Sequence, residues 1–266
     1  MLTVRFGDNL PILRAMRAES FDLIYVDPPF NTGKTQLRRR FHTENGRKIA
    51  EDSFGYADSF DDFLSFLRPR MEELRRLLKP AGSLFLHLDF REVHYAKVML
   101  DGIFGRASFQ NEIIWAYDYG ARSKSRWSPK HDNLLWYAKD PKHYTFHFDA
   151  MPRIPYMAPS LVGPEKAARG KTPTDVWWQT IVSPNSREKT GYATQKPRAL
   201  LDRIVGIHSS PGAELLDCFA GSGTFGESAE LLGRNCTLVD SSPDAIAVMK
   251  RRFAALPARF VGCDAI

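Results

Sequence analysis

A chain of 266 residues, 43% hydrophobic and 26% charged, has the makeup of an ordinary globular protein that can bury one substantial core. Its net charge of +6 and pI near 9.2 suit a polyanionic partner, usually nucleic acid, though enzymes of small metabolites share such values. Cys218, Cys236 and Cys263 are odd in number and unpaired in spacing, which argues against a disulfide framework or a zinc site. No apolar run is long enough to span a bilayer, and the first ten residues lack a signal-peptide pattern, so the expectation is a cytoplasmic protein.

Val4 to Asp8 reads as a strand that exits at an aspartate, and Phe21–Val26 as a buried strand stopped by Asp27-Pro28-Pro29. Phe63, Leu64, Leu67, Met71, Leu74, Leu77 and Leu78 have helical spacing, closed by Lys79-Pro80-Ala81-Gly82. A strand over 83–88, a helix over 92–103 and strands over 113–117 and 133–137 follow. Residues 118–192 are rich in Pro, Ser, Thr, Trp and Tyr without periodicity. They read as an irregular insertion in a single domain spanning 1–266, with Trp177 and Trp178 as its own core. Regularity returns with a helix over 197–208, a strand at Glu214–Asp217, a glycine-rich turn, a helix over 224–232, a strand over 236–239 and a helix over 243–253. This alternation predicts an α/β fold with a largely parallel sheet covered on both faces. Val4-Arg5-Phe6-Gly7-Asp8 is echoed by Phe260-Val261-Gly262-Cys263-Asp264. A circularly permuted sheet cut beside that strand would produce the echo, as would coincidence.

Two motifs carry chemistry. In Asp27-Pro28-Pro29-Phe30 each proline fixes φ and restricts its predecessor, so a stiff turn follows the strand. The Asp27 carboxylate and the turn's carbonyls then project as acceptors beside an aromatic ring. That set suits a planar base bearing an NH2 group: two acceptors localise the amine lone pair on nitrogen, and direct attack on a methyl donor needs no covalent intermediate and no metal. The second motif is Asp217-Cys218-Phe219-Ala220-Gly221-Ser222-Gly223-Thr224, a strand running into a small-residue turn and a helix, with Asp240 at the end of the next strand. Glycines admit a nucleotide-like ligand and an acidic residue takes its ribose hydroxyls. Gly221, Gly223 and Gly226 also satisfy the dinucleotide spacing, which leaves a nicotinamide or flavin enzyme open. Gly33-Lys34-Thr35 mimics a P-loop, but Pro28 stands where its upstream glycine belongs. None of the cysteines follows a proline, against cytosine C5 chemistry.

The chain resembles the DNA amino-methyltransferases in their beta-type motif order, with the Asp-Pro-Pro motif ahead of the cofactor glycines. Further blocks agree in order: Asn31-Thr32-Gly33, Phe54-Gly55-Tyr56-Ala57-Asp58-Ser59-Phe60, Leu78 to Gly82, His87-Leu88-Asp89, Ile103-Phe104-Gly105, Lys130-His131-Asp132 and Thr194-Gln195-Lys196-Pro197. The resemblance implies a doubly wound, Rossmann-like methyltransferase sheet, circularly permuted, with residues 118–192 as target-recognition region. It implies S-adenosylmethionine as cofactor and double-stranded DNA as substrate. Asp27, Pro28 (through its carbonyl), Pro29 and Phe30 would hold a flipped base. Gly221, Ser222, Gly223 and Thr224 would line the methionine part, with Asp217, Phe219 and Ala220 beneath, and Asp240 would take the ribose. Thr194, Gln195 and Lys196 would lie near the methionine carboxylate, and Asp8 or Asp264 at the cofactor adenine. Cys218 and Asp132 stand where the family often has Pro and Glu. Cytosine members more often begin the first motif with Ser, so Asp27 favours adenine N6 over cytosine N4.

Phosphate contacts are expected from Lys34, Arg38, Arg39, Arg40, Arg47 and Lys48, a basic run against which only Glu44 stands, and from Arg122, Lys124, Arg126, Lys130 and His131 around Trp127. A homodimer and a cognate restriction endonuclease are further partners that the resemblance allows. A catalytically silent DNA-binding subunit is the reading from another class, opposed by the intact Asp27 and glycines.

Overall fold

The computed structural model describes residues 1–44, 47–120, 122–183 and 185–263, with the backbone alone over 35–57. The chain begins with β1 (Leu2–Phe6), α1 (Asn9–Arg14), β2 (Phe21–Val26) and a hairpin of β3 (Lys34–Glu44) and β4 (Arg47–Asp58). Then come α2 (Phe63–Leu77), β5 (Leu78–Leu88), α3 (Val93–Phe104), β6 (Phe109–Ala116) and β7 (His131–Ala138). A stretch carrying α4 (Pro164–Arg169), β8 (Val176–Trp178) and short 3-10 turns leads to α5 (Arg198–His208). The last elements are β9 (Glu214–Asp217), α6 (Thr224–Leu231), β10 (Asn235–Asp240), α7 (Pro243–Arg252) and β11 (Ala258–Val261).

Nine strands form one sheet in the order β11-β1-β10-β9-β2-β5-β7-β6-β8. Every pairing is parallel except those of β7, which runs against β5 and β6. The apolar run of β2 follows from its central place: Ile24 and Val26 pack on one face with Leu67, Met71 and Leu74 of α2, while Leu23 and Tyr25 pack on the other with Leu201 and Ile204 of α5. The fold is thus α/β and doubly wound. From β9 the chain passes through α6 to β10 on one side, and from β2 through α2 to β5 on the other. Their carboxyl ends part between β9 and β2, the topological switch point where ligands bind in such sheets. The strand that feeds the glycine turn, β9, comes after β2 and β5 in sequence but lies beside β2 at the centre of the sheet, which is the permuted order. The terminal echo has a structural counterpart, since β1 and β11 are parallel neighbours with Val4 opposite Phe260.

The basic run after Phe30 forms a hairpin, with Lys34 paired to Asp58 and Glu44 to Arg47. Two expectations change. Trp177 does not belong to a separate core: β8 adds it to the sheet edge beside β6, where it packs with Ile113 and Trp115. Trp178, its neighbour on the strand, faces outward and is 76% exposed.

Candidate active site

A cleft of about 280 Å³ opens at the carboxyl ends of β1, β2, β9 and β10. Its floor is the turn after β9. Asp217, buried at the end of that strand, accepts the Phe219 N–H at 2.9 Å. Burial pushes its carboxyl well above the usual carboxylate range, and the nearby Asp27 and Asp240 add to the rise. Asp240 ends β10 and accepts Gly221 N–H on one oxygen at 2.7 Å and Ser242 N–H on the other at 2.8 Å; burial raises its carboxyl too. Gly221 and Gly223 take φ of +50° and +75°, a region that favours glycine. A Cβ on Gly221 would meet the Tyr192 ring at 3.1 Å, and one on Gly223 would meet Met249 and Phe253 at 2.7 Å.

Across the cleft, Asp27 follows directly from β2. Lys196 donates to both of its carboxylate oxygens, at 2.7 and 2.6 Å, and the two side chains are only 11% and 16% exposed. The same ammonium lies 4.9 Å from the centroid of the Phe30 ring, which stands 5.8 Å from the ring of His87. The turn after Phe30 is clamped. Asp58 accepts from Asn31 N–H and from the Thr32 hydroxyl at 2.7 and 2.6 Å, and the Asn31 amide donates to Glu92 at 2.8 Å. The base of the β3–β4 hairpin is thereby fixed against the Asp27 turn.

Of the residues singled out by sequence, Asp8, Asp27, Pro29, Thr194, Lys196, Asp217, Phe219, Ala220, Gly221, Ser222 and Asp240 all line this one cleft. Pro28, Phe30, Gly223 and Thr224 are not among its lining residues. Gly223 is packed against α7, and the buried Thr224 hydroxyl bonds Ser222 at 2.9 Å. Gln195 also points elsewhere: its amide holds the preceding loop through Glu188 and Thr190. Lys196, expected near the methionine carboxylate, lines the cleft and pairs with Asp27. Asp8 caps α1 through Leu10 N–H at 3.2 Å and pairs with Arg70 at 3.0 Å, while Asp264 lies outside the described residues.

Sequence reasoning passed over Tyr25, Asn9, Phe66, Arg70 and Tyr192, all of which line the cleft. Arg70 is buried, lies 3.9 Å over the Phe66 ring and donates to Asn9 at 2.6 Å, and Asn9 in turn donates to the Cys218 carbonyl at 2.8 Å. A glimpse of this was available in the i, i+4 spacing of Phe66 and Arg70 on the predicted helix.

Among the basic candidates, Lys34, Arg122, Lys124 and Arg126 are exposed, Arg122 in an ion pair with Asp118, and Trp127 between them is 95% exposed. Lys130 donates to the Tyr119 carbonyl, and His131 is half-buried at the start of β7. The side chains of Arg38, Arg39, Arg40, Arg47 and Lys48 lie outside the described residues. No cluster of metal-ligating side chains occurs among the described residues, and no helix there is long and apolar enough to cross a membrane.

The model of the N6/N4 DNA methylase family matches residues 21–264. The Type II methyltransferase M.HpaI of Haemophilus parainfluenzae is 30% identical, the match covering 98% of this chain and 76% of that protein. The DNA adenine methyltransferase YhdJ of Escherichia coli strain K12 is 30% identical over 94% of this chain and 82% of its own length. In fold, the chain is similar to M1.HpyAVI, solved as a complex with S-adenosylmethionine (TM-score 0.64, 21% identity, 95% of this chain and 99% of that one). It is also similar to the cytosine-N4-specific PvuII DNA methyltransferase (TM-score 0.68, 16% identity, 95% and 86%). The chain belongs to the N6/N4 DNA methylase family and is an S-adenosylmethionine-dependent DNA methyltransferase.

Proposed function

We propose that this enzyme methylates the exocyclic N6 amine of adenine in double-stranded DNA, at a specific sequence, after turning the base out of the helix. One observation carries the reading: the Asp27 carboxylate lines the same cleft as Gly221, Ser222 and Asp240. An amine held at Asp27 therefore faces whatever that turn holds. The cleft's chemistry fits S-adenosylmethionine. Asp240 supplies acceptors for ribose hydroxyls, the glycine turn leaves room that side chains would fill, and Asp8, braced by Arg70, offers an acceptor for an adenine amine. Bound there, the cofactor supplies the methyl group on a sulfonium.

The chain's own part is to hold and prepare the base. Asp27 and the Pro28 carbonyl accept the two amine hydrogens, which concentrates the lone pair on nitrogen. Each carboxylate oxygen has more than one acceptor site, so Asp27 can keep Lys196 while it takes an amine hydrogen. Phe30, braced by His87, offers the base a face. A duplex hides the amine, so the base must leave the stack. Lys34, Arg122, Lys124 and Arg126 are the phosphate anchors in this reading, and 118–192 is the target-recognition region of a single catalytic domain.

Asp27, rather than serine, at the first motif position supports adenine over cytosine, as does the likeness to an adenine methyltransferase. The Type II relatives support a restriction–modification setting in a bacterial cytoplasm, with a cognate endonuclease as partner. Expression in a methylation-deficient host, followed by nucleoside mass spectrometry and modification mapping, tests the reading. N6-methyladenine at one sequence is expected, and N4-methylcytosine alone would overturn the choice of base.

A further inference from the structure

Asn31, the residue after Phe30, has a left-handed backbone with φ of +54°. Such a conformation costs energy in any residue but glycine, and it persists only where the surroundings hold it. Here three hydrogen bonds do so. The Asn31 N–H, part of the peptide that leaves Phe30, donates to Asp58 Oδ1 at 2.7 Å. Nδ2 of its side chain donates to Glu92 Oε1 at 2.8 Å, and Oδ1 accepts the Phe60 N–H at 3.0 Å. One end of the amide meets an acceptor and the other a donor, so the network fixes its orientation.

The three partners stand on three different elements. Asp58 ends β4 and is only 1% exposed; it also takes the Thr32 hydroxyl at 2.6 Å, while its carbonyl takes the Gly33 N–H at 2.8 Å. Phe60 leads into α2, its ring 5.5 and 4.6 Å from those of Phe63 and Phe66, and Phe66 lines the cofactor cleft 6.1 Å from Phe219. Glu92 immediately precedes α3. Pro28 and Pro29 have no N–H to donate, so the turn's own backbone donors begin only at Phe30. We propose that Asn31 is a positioning residue for methyl transfer: it ties the Asp27–Phe30 turn to the foot of the basic hairpin, to the ring cluster beside the cofactor cleft and to the start of α3, and so sets where the base amine meets the methyl donor. The inference rests on the reading of Asp27 and Phe30 as the residues that hold the base.

The bond to Glu92 can be reversed, which gives a specific test. Asn31→Asp keeps the acceptor for Phe60 but sets a carboxylate against Glu92, and at pH 8 both are ionised. The single-turnover rate constant at saturating cofactor and DNA should fall about tenfold or more, with S-adenosylmethionine affinity within about threefold of the parent. Adding Glu92→Gln to Asn31→Asp returns a donor from the other side and should restore most of the lost rate. A defect of folding alone lowers the amplitude of the turnover and leaves its rate constant unchanged. An Asn31→Asp enzyme as fast as the parent, or a double variant as slow as Asn31→Asp, overturns the proposal. Should Asn31→Asp fail to fold, Asn31→Gly decides, because glycine takes the same φ without strain but makes neither side-chain bond. A rate constant about tenfold lower supports the proposal, and one equal to the parent's overturns it. Asp27→Ala separates the two levels: if it still methylates, the reading of Asp27 fails, whereas an inactive Asp27→Ala beside an Asn31→Gly enzyme of parental rate sinks only the role of Asn31.

Discussion

Lys196 and Asp27 hold each other in a nearly dry place, separated by 169 residues of chain. Removing one partner of such a pair leaves the other charge uncompensated. In the proposed reading Asp27 serves two neighbours with different tasks, the Lys196 ammonium that balances its charge and a base amine that needs its lone pairs. We therefore expect Asp27→Ala to abolish methyl transfer in a radiolabel assay yet leave cofactor affinity, by isothermal titration, within about tenfold, ~1.4 kcal/mol. Collapse of cofactor binding would mean that Asp27 serves the cofactor rather than the base. At this scale the aspartates were readable in advance. Asp27, Asp217 and Asp240 each sit at the end of an apolar strand, and the end of such a strand in a doubly wound sheet faces the ligand crevice. The partner of Lys196 was not readable, because no local pattern links residues so far apart.

Helix α2 shows what an element adds that its residues do not announce. Its periodicity marked Phe63, Leu67, Met71 and Leu74 as a buried stripe, and the helix stands where that pattern put it. Phe66 and Arg70 lie one step around from the stripe and reach over the carboxyl ends of β1 and β9. The Arg70 guanidinium there braces both Asp8 and Asn9, and Asn9 anchors on the carbonyl after Asp217. Arg70→Met keeps a long apolar stem but removes those bonds. Cofactor affinity should fall about tenfold, with methyl transfer at saturating cofactor little changed; an unchanged dissociation constant would show that Asp8 needs no brace. The β3–β4 hairpin was illegible for the opposite reason. Its sequence is polar and charged without a one-sided apolar alternation, so nothing in the pattern separated strands from a solvated loop.

On the scale of the whole molecule, the two faces of the sheet carry different liabilities. The face under α1, α2 and α3 buries leucines together with Phe21, Phe63, Phe104 and Tyr137, whereas at the far edge of the other face His208, ending α5, is buried among the rings of Phe85, Trp136 and Phe146 at 4.7, 4.5 and 5.3 Å. Sequence periodicity placed His208 on a helix but could not show this cage, which is assembled from β5, β7 and the segment after it. Its Nδ1 finds no hydrogen-bond partner among the described residues, and burial lowers its pKa from the ordinary 6.5 to about 3. A histidine held neutral in the fold but free to protonate when unfolded contributes stability that is complete above pH 6.5. That contribution is lost as pH falls toward 3, at up to about 1.4 kcal/mol per pH unit. Chemical denaturation of the parent and His208→Leu at pH 7.5 and pH 4.5 isolates the effect, since carboxylates common to both cancel in the difference. The parent should lose about 2.7 kcal/mol relative to the variant on acidification. A difference that does not change with pH would mean that the ring takes up its proton inside the folded cage, and that acid sensitivity arises elsewhere, among the buried carboxylates of the cleft.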